Sequence, residues 1–180
     1  MSLNEQGFIK DFTGYVKKLG VKRILEVGAL TGELMEAVGG DGIDLNPSRS
    51  DVKKADIRNF KTRKKYEMIF SSGLLEHYSE HEAIEVLAAM ANKSTKYVLS
   101  FVPNSNCVSY MNAKRFRSAR WPEEWRKEDD YSVEKLAKLH EKIGLKVIDK
   151  GVMGEGWAKL FGKEESEGYL VYCLAEKAIN

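Results

Sequence analysis

Lys22-Arg23-Ile24-Leu25-Glu26-Val27-Gly28-Ala29-Leu30-Thr31-Gly32 is the stretch from which the rest of the chain is read. Ile24, Leu25 and Val27 form a short apolar run with β-branched residues, which suits a buried parallel strand. Gly28 to Gly32 then read as a tight turn into a helix that begins near Glu33. Glycine is needed in such a turn because a side chain keeps the backbone away from a ligand, and because a sharp turn often demands positive φ. The helix start adds free N–H groups. Glu26 separates this loop from a phosphate cradle, since a carboxylate at the strand's end repels an anion and welcomes a cation.

The whole chain sets bounds on what that loop serves. Its 180 residues fit one domain, against a prior of about 100–200 residues per domain. Hydrophobic residues at 43% and charged residues at 31% are those of a globular protein. A formal charge of +2 is too small to imply a nucleic-acid partner by itself. Cys107 and Cys173 lie far apart without metal-ligand spacing, so neither a disulfide framework nor a zinc site is expected. No apolar run approaches the roughly 20 residues of a membrane span, and Met-Ser-Leu-Asn-Glu-Gln is not a secretory start. The expectation is a cytoplasmic protein without a membrane partner, its oligomeric state open.

Before the glycine loop, Phe8, Phe12, Tyr15, Val16 and Leu19 recur at near-helical spacing and Gly20 follows as a cap, which predicts a leading helix over 4–19. After it, the helix from Glu33 to Val38 is stopped by Gly39 and Gly40, and Gly42 to Leu45 is a second strand ended by Asn46-Pro47. Too few residues separate Asn46 from the next strand, Val52 to Ile57, for a crossover helix. That crossover is therefore shortened. The basic run from Lys53 to Lys65 reads as solvated surface, with a polyanion contact as its rival. Tyr66 to Phe70 is a fourth strand, Ser79 and Glu82 form a capping box ahead of a helix to about Ala91, and Lys96 to Val102 is a fifth strand. Residues 105–130 lack periodicity and are expected to be a lid or insertion, or to hold an unrecognised helix. Ser132 caps a helix with Val133, Leu136, Leu139, His140 and Ile143 on one face, and Leu145 to Val152 and Tyr169 to Glu176 close the sheet. The result is an α/β domain, a Rossmann-like and mostly parallel sheet with one antiparallel strand and helices on both faces.

In such a sheet the ligand lies beyond the carboxyl ends of the strands, where the strand order reverses. Those ends offer Glu26, Gly28 and Gly32, then Asp44, then Asp56, then Ser71 and Ser72. Three acids are expected to converge on one crevice. Asp44 follows Gly28 by about the interval at which a carboxylate meets ribose hydroxyls, and Asp56 beside Ile57 is placed to hold the amino group and face of a purine. A nucleoside with a cationic end near Glu26 fits this set, and a diphosphate fits it badly.

At these residues the sequence resembles the class I S-adenosylmethionine-dependent methyltransferases, in particular their small-molecule, type 11-like branch. Glu26-Val27-Gly28-Ala29-Leu30-Thr31-Gly32 is similar to the family's first motif, Gly42-Ile43-Asp44-Leu45-Asn46-Pro47 to its second, Ala55-Asp56-Ile57 to its third, and the segment from Tyr66 to His77 to its fourth-strand region. The resemblance implies seven strands, S-adenosyl-L-methionine as cofactor, and a small-molecule methyl acceptor. It implies contacts to the cofactor from Glu26, Gly28, Ala29, Leu30, Gly32, Asp44, Leu45, Asn46, Asp56, Ile57, Ser71 and Ser72. Leu30 stands where the family often has a middle glycine, and the shortened crossover removes a wall that often flanks adenine.

His77 is the candidate catalytic base, weighed against a structural or positioning role. No metal is expected, because a Glu-x-x-Glu-His set would need an acid where Gly73 stands. Trp121, Trp125 and nearby arginines either clamp an acceptor or pack a lid. Rival readings are an RNA or protein methyltransferase, resting on the basic run, and a cofactor-binding module without transfer activity, resting on Leu30 and the reduced crossover. Nucleobase amino-methylation is disfavoured, because Ser71-Ser72-Gly73-Leu74 stands where Asn/Asp-Pro-Pro-Tyr/Phe would be.

Overall fold

A computed structural model describes residues 3–117, 128–154 and 168–177. Ile24–Val27 (β1), buried throughout, pairs in parallel with Asp41–Asp44 (β2) on one side and Tyr66–Ser72 (β4) on the other. Val52–Lys54 (β3) extends the sheet beyond β2, while Ser94–Pro103 (β5), Leu170–Lys177 (β7) and Leu145–Met153 (β6) extend it beyond β4. The order is β3-β2-β1-β4-β5-β7-β6, and β7 runs antiparallel to both neighbours. Successive strands step outward from β1 in one direction and then, from β4, in the other. The reversal leaves a crevice beyond the carboxyl ends of β1 and β4.

Period-two alternation in the central strands feeds two apolar layers. Met68 and Phe70 of β4 and Leu99 and Phe101 of β5 meet Phe8, Phe12 and Val16 of Leu3–Leu19 (α1). Ile69, Val98 and Val102 face the opposite layer, formed by Glu80–Lys93 (α3) and Val133–Lys142 (α5). Phe12 is wholly buried, its ring 4.9 Å from that of Phe70 and 5.7 Å from that of Phe101. Glu33–Val38 (α2) is a short helix between β1 and β2. Ser79 and Glu82 form the expected capping box on α3, and Ser132 accepts from the Lys135 N–H at the start of α5. No helix among the described residues is long and apolar enough to cross a membrane.

Two expectations change in detail. The third strand stops at Lys54, because Asp56 to Phe60 close into turns, with Asn59 N donating to Asp56 O and Phe60 N to Ile57 O. Within 105–130 there is a helix, Val108–Arg117 (α4), in which, among the described side chains, Tyr110 is the one deeply buried, against Cys107 and Tyr169, so the sequence carried little periodic signal. Trp121 and Trp125 lie outside the described residues. As expected, no helix joins β2 to β3; the link is instead tied down, Ser48 donating through both N and Oγ to Leu30 O at 3.0 and 2.8 Å.

His140 is fully buried between Leu136 O, 2.9 Å from Nδ1, and Ser100 Oγ, 3.3 Å from Nε2. Burial holds its pKa down, to about 4. The unfolded chain therefore binds the proton more tightly than the fold does. Stability is complete above the free-histidine value of 6.5 and falls as pH drops toward about 4, by on the order of 3 kcal/mol. Denaturant midpoints across that window should show the slope, and His140→Gln should flatten it. Phe12→Ala should cost about 3–5 kcal/mol by denaturant unfolding, since it empties the contact that seats α1 on the sheet.

Candidate functional site

The glycine loop leaves β1 through Gly28, at φ 79°, where an added Cβ would lie 2.9 Å from Leu74 Cδ1. Only glycine meets both conditions. Gly28 N and Ala29 N donate to Ile43 O, Leu30 N to Asp44 Oδ2 and Gly32 N to Ala29 O. These four N–H groups are thus spent on the protein itself. The loop is not an anion cradle. Gly32, at φ 67°, faces Val52 and Met35 and shapes the turn into α2, lining neither of the two hollows described below.

Asp44 closes β2 with both oxygens engaged, Oδ2 accepting from Leu30 N at 3.0 Å and Oδ1 from Asn46 N at 2.6 Å. Glu26 is almost wholly buried, and Oε2 accepts from Met35 N at 2.8 Å. Burial pushes its pKa up to about 8, against the pull of that N–H and with the Asp44 charge adding to the rise. The expected standing negative charge at the strand's end is corrected accordingly: without a cation beside it, this carboxyl keeps its proton near neutrality.

The single crevice expected for three acids is two adjoining hollows. The larger, of about 460 Å³, runs from Glu26 and the glycine loop past Ser72 to Glu76, His77 and Tyr169. The smaller, of about 80 Å³, lies between Leu45, Asp56, Ile57 and Tyr78. Gly28, Asp44 and Leu74 line both. Asp44 therefore sits at the joint, while Glu26 and Asp56 are kept apart. Asp56 is clasped by Arg58, whose Nη2 lies 2.6 Å from Oδ2 and whose backbone N lies 2.9 Å from Oδ1. Arg58 holds the Asp56 pKa below its ordinary value.

Of the other expected residues, Ala29, Leu30 and Ser72 line the large hollow and Leu45 and Ile57 the small one. Ser71 does not reach either: it is wholly buried on the α3 and α5 side of the sheet, the adjacent Ser72 taking the cavity face. Asn46 contributes its backbone N–H to Asp44 and lines neither hollow. Leu30 adopts φ 31°, the one positive φ among described non-glycine residues, with its side chain exposed.

The far end of the large hollow is built by the single 3-10 turn Leu75–His77 after β4, with Phe8 and Ile9 of α1, Pro103 and Leu170 as apolar walls. His77 lines it, Nδ1 lying 3.9 Å from Glu128 Oε1, and Glu128 also accepts from Tyr110 OH at 2.9 Å. Glu76 is 3% exposed, and its Oε2 has no hydrogen-bond partner. Burial pushes its pKa up to about 8, with the Glu128 charge adding. Sequence reading passed over Glu76 because nothing local to it foretells burial; its place beside His77 in the cavity-facing turn was the available signal. Among the described residues no group of three or more His, Cys, Asp or Glu is placed to hold a metal.

No protein-family model matches the sequence, and no curated protein does. Solved structures do match by shape. A Thermotoga maritima S-adenosylmethionine-dependent methyltransferase, described as a possible histamine N-methyltransferase, superposes with a TM-score of 0.70 at 15% identity, over 98% of this chain and 92% of that one. Magnesium protoporphyrin IX methyltransferase from Synechocystis PCC 6803 with bound S-adenosylhomocysteine gives 0.69 at 11% identity, over 98% and 84%. The Burkholderia thailandensis 1,6-didemethyltoxoflavin-N1-methyltransferase, with that compound and S-adenosylhomocysteine bound, gives 0.67 at 13% identity, over 95% and 78%. At such identities the likeness is one of fold: the chain carries the class I S-adenosylmethionine-dependent methyltransferase fold.

Proposed function

We propose that the chain binds S-adenosyl-L-methionine and transfers its methyl group to a small molecule. The observation that carries this reading is Asp44, pinned at the joint of a small and a large hollow at the sheet's switch point. A nucleoside fits across that joint, its purine beside Ile57 and Asp56 and its ribose hydroxyls at Asp44. The amino-acid end then follows the Gly28 loop toward Glu26. The spent loop N–H groups disfavour a diphosphate, and the buried Glu26 carboxyl beside the glycine loop favours a ligand with positive charge. Where Arg58 already clasps Asp56, a purine amino group shares that carboxylate with it.

When bound, the cofactor supplies a methyl group made electrophilic by its sulfonium. What remains for the protein is alignment, which can be worth about 7–11 kcal/mol when the reacting atoms are held in line. The glycine loop and Asp44 fix one partner. Phe8, Ile9, Pro103 and Leu170 give the other an apolar wall to pack against. That mostly apolar wall favours a small acceptor over a polymer. Lys64 and Arg58 of the basic run are also engaged with Asp41 and Asp56, which leaves less of that run for a polyanion.

Calorimetry should detect binding of both S-adenosylmethionine and S-adenosylhomocysteine. Gly28→Val, which drives a side chain into Leu74, and Asp44→Ala should each weaken it at least about tenfold, roughly 1.4 kcal/mol or more. Absence of heat with either ligand from folded protein overturns the reading.

A further inference from the structure

Among the described residues three buried side-chain polar atoms lack a hydrogen-bond partner: Ser71 Oγ, Tyr131 Oη and Glu76 Oε2. Of these, only Glu76 lines either of the two hollows. A buried carboxyl oxygen without a partner is unfavourable in a resting fold, so such an atom calls for a ligand that hydrogen-bonds to it. The neighbouring groups do not fill that need. Tyr110 OH donates to Glu128 Oε2; Lys114 Nζ is engaged with Glu128 O and Asp130 Oδ1, at 3.0 and 2.8 Å. His77 leans toward Glu128, and the Asp129 N–H takes Glu76's backbone oxygen at 2.7 Å. The turn is thereby held, and Glu76 is among the residues that line the large hollow, with Tyr169, Pro103 and Leu170.

Resting on the methyltransferase reading, we propose that Glu76, in place of His77, receives the proton of the methylated group, and that the acceptor is a small, largely apolar molecule presenting an O–H or N–H to Glu76 Oε2. Methylation is then at oxygen or nitrogen. As the heteroatom's lone pair forms its bond to the methyl carbon, its proton passes to the Glu76 carboxylate. The electron pair of the broken carbon–sulfur bond stays on sulfur, and Glu76 afterwards gives the proton to water. The methylated product can no longer donate, and its new methyl group lies against a carboxyl, which favours release. Burial raises the Glu76 pKa to about 8, so the ionised form that takes the proton is a stronger base than an exposed carboxylate, and it becomes populated as pH rises toward 8. The charged and titratable groups around it are His77 of its own turn, Lys114 and Tyr110 of α4, Glu128 and Asp129 ahead of α5, with Tyr131, and Tyr169 ahead of β7.

The test uses protein loaded with S-adenosylhomocysteine and ligand-observed NMR with probe pairs that differ by one methyl group: phenol and anisole, indole and 1-methylindole, 4-hydroxyquinoline and 4-methoxyquinoline. In at least one pair the O–H or N–H member should bind at least about fivefold more tightly to the wild type. Glu76→Leu should abolish that preference, and His77→Ala should leave it. Both variants should bind S-adenosylhomocysteine within about threefold of the wild type. Glu76→Gln should melt at a higher temperature than the wild type near pH 9, where the buried carboxyl must ionise, and at a similar temperature near pH 5. Equal binding within every pair, or a preference that survives Glu76→Leu, overturns the proposal while leaving cofactor binding intact. Failure to bind S-adenosylhomocysteine instead overturns the methyltransferase reading beneath it.

Discussion

The carboxylate of Asp44 is the constraint on which the site depends. By accepting from Leu30 N and Asn46 N it fastens the loop after β1 to the exit of β2, so two elements from different turns of the chain share one rigid corner. Parallel pairing of β1 with β2 brings the two ends level, Val27 opposite Ile43. Ser48 then ties the helix-less crossover to the same loop through Leu30 O. The loop tolerates a leucine at positive φ because it is held on both sides. What the sheet's topology leaves as a crevice, this corner divides into two hollows with a common wall.

The cavity carries its electrostatic load at both ends. Glu26 and Glu76 each have a folded-state pKa near 8, well above the ordinary carboxyl value of 4.5, so the fold prefers them protonated. Their contribution to stability is intact at low pH and declines as pH rises from about 4.5 through 8, the reverse of the effect of buried His140 at acid pH.

Much of this was legible in the sequence, for identifiable reasons. The strand, glycine loop and helix of residues 24–38, the capping box at Ser79 and the Ser132 cap are local patterns, and local patterns survive folding. Facing was less legible. A central parallel strand is apolar on both sides, so Ser71 and Ser72 look equivalent until the layers on either side are known; Ser71 falls with Ile69 on the α3 and α5 side and Ser72 on the cavity side. Asp56 illustrates a second gap, since its commitment to Arg58 depends on the turn that ends β3. Glu76 illustrates a third. Its burial comes from α4, the segment before α5 and the approach to β7, none of them near it in the sequence.

The cavity wall draws on segments far apart along the polypeptide. Phe8 and Ile9 come from the first helix and Leu170 from the last strand, and the layer beneath joins Phe8 and Phe12 to Leu170 and Leu174. A ribosome-bound chain that has not yet exposed β7 thus offers α1 only part of a landing surface. Formation of the pocket is in this sense coupled to the emergence of β7, and a product truncated before β7 would have a sheet without a finished binding chamber.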